Sequence, residues 1–196
     1  MSSSPTLPKD FEDALGSLRA VIPRTELVVT EITAPSSLAP YGIAFAVNVL
    51  PQNHEEDSDL GAGRFVLLYN PEEQEGWGGN FRIIMYSHAP LDVEIGTDPF
   101  LASVTWSWLT ESLQDRGAEY LGAAGTATKI LSTGFGSLAE SGDGAKIELR
   151  ASWTPLDSDI GPHLAAWLDV VGLLAGLPPA SGTESLSMYR NRRGAN

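Results

Sequence analysis

Residues 41–50 read YGIAFAVNVL, and this stretch decides the class of fold that we expect. The larger side chains fall on every second residue and alternate with smaller ones: Tyr41, Ile43, Phe45, Val47 and Val49. Because successive side chains of a strand point to opposite faces of its sheet, this alternation predicts a strand with one buried face. The pattern is typical of a half-buried strand in a sheet that is covered on one side.

Further strands and helices are predicted on either side of this strand from apolar periodicity and from Pro, Gly, Asn and Asp signals. Strands are expected at 27–33, 64–69, 81–88, 120–131 and 146–153, and helices at 8–21, 99–116 and 160–175. The loops are mostly too short for crossover helices, so the order α-β-β-β-β-α-β-β-α predicts an α+β fold with a mainly antiparallel sheet of about six strands. We expect the two long helices to cover one face of that sheet. The last helix is strongly polar only at His163 and Asp169, so it is expected to lie centrally or at an interface.

The 196 residues suit one domain with a substantial core, and no internal repeat or long linker divides them. We expect a flexible N-terminus over 1–7, a single domain over 8–179 and a basic tail over 180–196. The tail is rich in Ser, Gly, Arg and Asn, a composition that predicts disorder.

Charge and composition limit the classes of partner. Twelve Lys and Arg against 25 Asp and Glu give a net charge of -13, which repels nucleic acid and anionic lipid. No apolar stretch is suited to cross a membrane or to serve as a signal peptide. The absence of cysteine excludes disulfides, thiolate nucleophiles and Cys-ligated metals. We therefore expect a cytoplasmic protein without nucleic-acid or membrane partners.

Motifs for metals, cofactors and covalent catalysis are weak. The acidic loop 54–61 resembles a calcium loop at Asp57, Asp59 and Gly61, but Leu68 stands where a bidentate Glu would be needed. There is no GxSxG or P-loop motif, and the Gly-rich segments 76–79 and 134–137 are expected to be hairpin turns. None of the three histidines has the spacing of metal ligands: His54, His88 and His163. We predict no metal, no cofactor and no catalytic residue.

Two arginines on predicted strands form a first candidate site. Alternation places Arg150 and Arg82 opposite the apolar residues of their strands, and if the two share a sheet face they could bind a carboxylate or phosphate. The alternative is that both arginines pair with surface acids such as Glu148, Glu94 or Glu119.

Two further residues are candidates for moving a proton in such a site. His163 lies near Asp157 and Asp159, either of which could raise its basicity, and Glu119 is the second candidate. The alternative is that Asp159 caps the final helix and His163 packs on its first turn.

Tryptophans form a candidate interaction surface. The helix that follows Pro99 has an apolar arc of roughly 200°, wider than one sheet contact requires. Trp106 and Trp108 point to opposite margins of this arc, so one could face a partner or an apolar ligand, and Trp153 at a strand end is assigned to the same surface. The alternative is that the final helix or a loop covers the second margin.

Five segments resemble a known family: LAPY (38–41), TDP (97–99), WSWLTE (106–111), GAEY (117–120) and RASWTPLD (150–157). Together they resemble an actinobacterial family catalogued as a domain of unknown function, the one numbered three thousand, over residues 7–179. This resemblance implies a bacterial cytoplasmic setting. It implies no activity and no catalytic or cofactor-binding residue.

Two hypotheses of function follow. The first is a non-catalytic cytoplasmic interaction or chaperone-like module, self-associating as a homodimer, because the apolar helix surface exceeds what the sheet needs. Small acidic dimeric secretion chaperones have a similar order of elements, although a shared fold does not establish a shared function. The alternative is a small-ligand-binding protein or enzyme with an anion-binding pocket on the sheet face, built on Arg82 and Arg150.

Overall fold

The computed structural model describes residues 7–51 and 60–178. The described helices are α1 (Lys9–Arg19), α2 (Val93–Gly96), α3 (Leu101–Asp115) and α4 (Gly161–Leu174). The described strands are β1 (Leu27–Ile32), β2 (Tyr41–Val49), β3 (Ala62–Tyr69), β4 (Phe81–Leu91), β5 (Tyr120–Thr133) and β6 (Asp143–Pro155). The predicted α+β class and element order are confirmed, with the four-residue α2 as an addition. His54, the acidic residues of loop 54–59, the residues 1–6 and the basic tail lie outside the described residues.

The strands form one antiparallel sheet in the order β1-β2-β3-β4-β6-β5. Sequential neighbours pair up to β4, but β6 lies between β4 and β5. The Gly-rich segments at 76–79 and 134–137 lie in the connections β3–β4 and β5–β6, as predicted, and the second continues into a short 3₁₀ helix at Gly136–Ser141. The two edges of the sheet are β1 and β5.

Helices cover one face of this sheet, as expected from their apolar sides. α4 packs against α1, α3 and the strands β2, β3 and β4, and eleven of its residues are buried. Trp167 of α4 is fully buried, its ring centroid lies 5.5 Å from that of Phe65, and its Nε1–H donates to Ser87 Oγ at 2.9 Å. The final helix is therefore central, because its almost wholly apolar surface is buried by the sheet and by two other helices.

The ends of α3 follow from local chemistry. Asp98 Oδ1 accepts a hydrogen bond from the Phe100 N–H at 2.8 Å and so caps the turn before the helix. At the other end, Gly117 has a φ of 68°, and the Ala118 N–H donates to Leu113 O at 2.9 Å. This is a Schellman motif, which ends the helix at the position where glycine predicted its end.

His163 is part of the core and is neutral there. It is 1% exposed, and its Nδ1 accepts a hydrogen bond from Trp153 Nε1–H at 3.0 Å. Burial lowers the pKa of His163 to about 4, although the charges of Asp157 and Asp159 oppose this shift. The bond from Trp153 requires an unprotonated Nδ1, so geometry and burial favour the same neutral form.

The stability of the fold should therefore fall in acid through His163. Its folded pKa of about 4 lies below the ordinary 6.5, so the unfolded chain takes up a proton between these pH values that the folded chain does not. The contribution is complete above pH 6.5 and its loss amounts to about 3 kcal/mol near pH 4. Urea denaturation from pH 7.5 to 4.5 should show a steeper loss of unfolding free energy for the wild type than for His163→Gln, which keeps an acceptor for Trp153. Parallel pH profiles for the two proteins would contradict this account.

Close packing at Gly63 gives a second test of the core. A Cβ at this position would lie 2.7 Å from Tyr86 O and 2.9 Å from Trp167 Cζ2, so Gly63→Ala should cost about 1–3 kcal/mol of unfolding free energy. Gly16 in α1 has open space around it, and Gly16→Ala should stabilise by about 1 kcal/mol through helix propensity. Chemical denaturation of both variants measures the difference. Equal effects would mean that Trp167 does not hold α4 against β3 as described.

Candidate functional site

The sheet face opposite the helices carries the candidate site. On this face, five residues that are register partners on adjacent strands form one row across the sheet, which we call the central row: Ala46, Arg64, Tyr86, Arg150 and Thr126. Four cations and one acid project from the described strands of this face: Arg64, Arg82, Lys146, Arg150 and Glu148. A local excess of positive charge therefore lies on a protein whose net charge is -13.

A cavity of about 640 Å³ lies over the central row. We call it the sheet-face cradle and define it by Asn48, Arg64, Tyr86, His88 and Arg150, all of which line it. The Arg150 guanidinium carbon lies 4.7 Å from the centroid of the Tyr86 ring, a cation–π contact, and the Tyr86 and His88 rings are 5.6 Å apart. The cradle thus has an aromatic floor with cations on either side.

Two polar groups of the cradle have no hydrogen-bond partner among the residues that the structure describes. His88 Nδ1 is buried and has no hydrogen-bond partner among the described residues. The exposed Arg64 likewise forms no ion pair or hydrogen bond within the described ranges. Because buried polar atoms usually have a partner, an orphaned imidazole nitrogen beside a free guanidinium is the feature to explain.

Glu148 organises the neighbouring charges without neutralising them. Lys146 Nζ lies 2.9 Å from one carboxylate oxygen and Arg150 Nη2 lies 3.6 Å from the other. The hydrogen bond from Lys146 is the largest cause that lowers the pKa of Glu148, and a hydrogen bond from the Tyr86 hydroxyl adds to it. Burial and that same hydrogen bond raise the pKa of Tyr86. The Glu148 carboxylate is therefore shared by two cations, and its contact with Arg150 is longer than its contact with Lys146.

The predicted pair of arginines shares this face but does not converge. Arg82 lies four residues before Tyr86, the register partner of Arg150, which separates the two arginines by about 13 Å along the sheet. Arg82 donates to Ser152 Oγ at 2.6 Å and to Thr154 Oγ1 at 3.1 Å, and burial lowers its pKa. Its role is to tie β4 to β6.

The structure places the other two predicted ligand residues, His163 and Glu119, away from the arginines. His163 lies beneath the opposite face of the sheet and is buried in the core, so it cannot meet a ligand of the arginines. Glu119 is exposed just before β5, where its backbone O accepts from the Leu156 N–H, and it lines a separate depression near the end of α3. Arg64, Tyr86 and His88 line the candidate site in place of His163 and Glu119. Of these three, only Arg64 could have been identified from the sequence, through the strand alternation around it.

The predicted tryptophan surface is also corrected in part. Trp153 is fully buried and Trp108 is 4% exposed, because α4 and the sheet enclose both rings. Trp106 is half-buried and covers Gly125 of β5, where an added Cβ would lie 2.7 Å from the ring atom Cζ3. Trp106 alone of the three remains available to a surface.

A larger cavity of about 820 Å³ lies between the end of α1, residues 20–26 and the start of α4. Four of its five charged groups are paired with one another: Arg24 with Glu26 at 3.0 Å, and Arg116 with Asp169 at 2.7 Å. The fifth, Asp159, accepts a hydrogen bond from Ser17 Oγ. Arg24 also lowers the pKa of Glu26 to about 2. This groove is larger than the cradle, but the cradle has polar groups without a partner among the described residues, which could bind a ligand.

In the parts of the chain that the structure describes, no cluster of three His, Asp or Glu side chains is placed to hold a metal ion. The described helices include none that is long and apolar enough to cross a bilayer. The chemistry that the cradle can offer is hydrogen-bond donation and positive charge from guanidinium, imidazole and amide groups, which suits oxygen-rich anions.

The different roles of Arg82 and Arg64 can be tested through the free energy of unfolding. Arg82→Ala removes the partner of two side-chain hydroxyls and should lower the free energy of unfolding by about 1–3 kcal/mol. Arg64→Ala removes no partner that lies in residues 7–51 or 60–178 and should change it by less than about 0.5 kcal/mol. Urea denaturation compares the two variants. A larger loss for Arg64→Ala would show that Arg64 serves the fold.

Comparison with known proteins gives one match. The model of a family described as a protein of unknown function (DUF3000) matches residues 7–184. No curated protein and no solved structure matches the chain significantly. The match covers nearly the whole chain, including every helix and strand described above, so the chain belongs to the DUF3000 family of proteins of unknown function.

Proposed function

We propose that the protein binds a ligand that carries a carboxylate or phosphate group in the sheet-face cradle. The observation that carries this proposal is the Arg64 guanidinium, which is free of partners in the described chain and shares a sheet row with Arg150. An anion between the two guanidinium groups would give each a charge-assisted hydrogen bond, whereas among the described residues Arg150 has only the 3.6 Å contact with Glu148 and Arg64 has none.

The spacing of the row suits such a ligand. Arg64 and Arg150 flank Tyr86 on adjacent strands, so their Cα atoms are about 10 Å apart. Two arginine side chains can span that distance toward a point above the Tyr86 ring. The Arg150 guanidinium stacks on the ring, which therefore forms the floor between the two arginines.

His88 adds a directional group. The His88 ring lies beside the Tyr86 ring, and its Nδ1, which has no partner among the described residues, can form a hydrogen bond with an oxygen or hydroxyl of a ligand that enters the cradle. Asn48 stands at the rim on β2 with an exposed side chain, where it can contact a polar substituent. Anion recognition by two arginines, with His88 and Asn48 selecting among anions, is the mode of binding we propose.

This proposal develops the anion-pocket hypothesis with a different set of residues, and it assigns binding and no chemical step. Arg150 is kept from the original pair, and Arg64 replaces Arg82 as its partner. The cytoplasmic location and the actinobacterial origin stay predictions. The self-association hypothesis stays a prediction. Of the three tryptophans only the half-buried Trp106 can still contribute to it, and Trp106 lies beside β5, away from the cradle.

Substitution of the two arginines tests the proposal. Inorganic phosphate and citrate serve as probes, and NMR of ¹⁵N-labelled arginine side chains reports which guanidinium groups they contact. We expect saturable shifts at Arg64 and Arg150, and at least tenfold weaker binding after Arg64→Gln or Arg150→Gln. A response to citrate alone would identify a carboxylate ligand, and a response to phosphate alone a phosphorylated one.

Arg19→Gln is the matched control, because it removes one positive charge from the exposed end of α1, on the other side of the sheet. Binding should be unchanged in this variant. Equal weakening by Arg19→Gln would indicate diffuse electrostatic attraction, and shifts confined to Arg24 and Arg116 would place the ligand in the groove beside α4. Either result would overturn the proposal.

A further inference from the structure

The two edges of the sheet differ in length and in protection. β1 has six residues and includes the acidic Glu31, features that discourage pairing with another strand. β5 has 14 residues, contains no proline and no acid, and has Lys129 as its one charge. Lys129 Nζ donates to Asp98 O at 2.9 Å and is thereby drawn toward the helices. Among the described strands, β5 is thus a long edge without the usual protection.

β5 is also poorly covered for a strand of its length. Ten of its 14 residues are exposed and none is buried. Its central run from Gly122 to Thr128 consists of Gly, Ala and Thr, so no bulky side chain blocks the approach of another strand. An irregularity between Leu121 and Ala124 confines regular pairing with β6 to the ten residues that follow, which present an extended row of backbone groups at the free edge.

We propose that two copies of the chain pair through β5, antiparallel about a twofold axis near Thr126–Thr128, so that two six-stranded sheets become one of twelve strands. Charge favours β5 over β1 as the edge for a second copy. Two chains of net charge -13 repel each other, but β5 contains no acid, whereas pairing through β1 would bring two copies of Glu31 together.

The helix layer extends the contact. α3 lies beside β5, and the half-buried Trp106 covers Gly125 near the middle of the strand. A twofold axis through this region brings the two Trp106 rings toward each other on the helix side. Ten paired residues span about 34 Å, and with α3 the strip is about 15 Å deep, so the interface would bury on the order of 1,000 Å² in total. That is near the lower limit for a specific interface, so the dimer we propose is of the weak or transient class.

Thr126→Glu tests the pairing. Within one chain the new carboxylate faces Arg150 in register, so the fold should tolerate it, whereas in the dimer two carboxylates would meet near the axis. Thr128→Lys makes the same test with the opposite sign, because Thr128 faces Glu148. Sedimentation equilibrium of the full chain should show a wild-type dimer and at least a tenfold higher dissociation constant for each variant. Circular dichroism checks that both variants are folded.

Thr30→Glu on the exposed edge β1 is the matched control and should dimerise like the wild type. Hydrogen exchange of the wild type adds a measurement without substitution: amides of β5, and not those of β1, should gain protection as the concentration rises. A wild type that stays monomeric over the whole concentration range of the sedimentation experiment, or Glu and Lys variants that remain dimeric, would overturn the proposal. So would loss of the dimer in Thr30→Glu alone.

Discussion

The packing of α4 against one face of the sheet is the constraint on which the rest of the structure depends. Trp167 fits over Gly63 and Phe65, and its indole N–H is bonded to Ser87, so the most apolar helix is fixed at the centre of the sheet. α1 and α3 then pack around α4 on the same side. In the described chain all helices that contact the sheet lie on this side, and the opposite face carries the cradle beside apolar residues such as Leu68 and Ile84.

That division positions the cradle. Because side chains alternate along each strand, burying Phe65, Met85 and Ala151 under the helices forces Arg64, Tyr86 and Arg150 onto the other face. The same core makes the site rigid, since the cradle residues stand on central strands held on both sides. The open edge at β5 belongs to the same architecture, because α3 contacts the strand from the helix side and no other described strand pairs with its outer edge.

Much of this fold could be predicted from local sequence. Alternation identified the strands, Gly117 marked the end of α3, and the apolar surface of α4 indicated a central helix. Strand order could not be predicted, because the insertion of β6 between β4 and β5 is decided by packing of distant residues. Because that insertion places Arg150 beside Tyr86, the row that joins Arg150 to Arg64 could not be predicted from the sequence. Trp153 was misassigned to a surface because alternation gives its face and does not show that helices cover it.

Native mass spectrometry of the protein gently purified from the cells that make it tests the central claim, that the open face holds an anionic ligand. The account predicts a retained small anionic mass on the wild-type protomer that is absent from Arg64→Gln prepared in the same way. A wild-type protomer without added mass, or an added mass that Arg64→Gln and Arg150→Gln both retain, would contradict it.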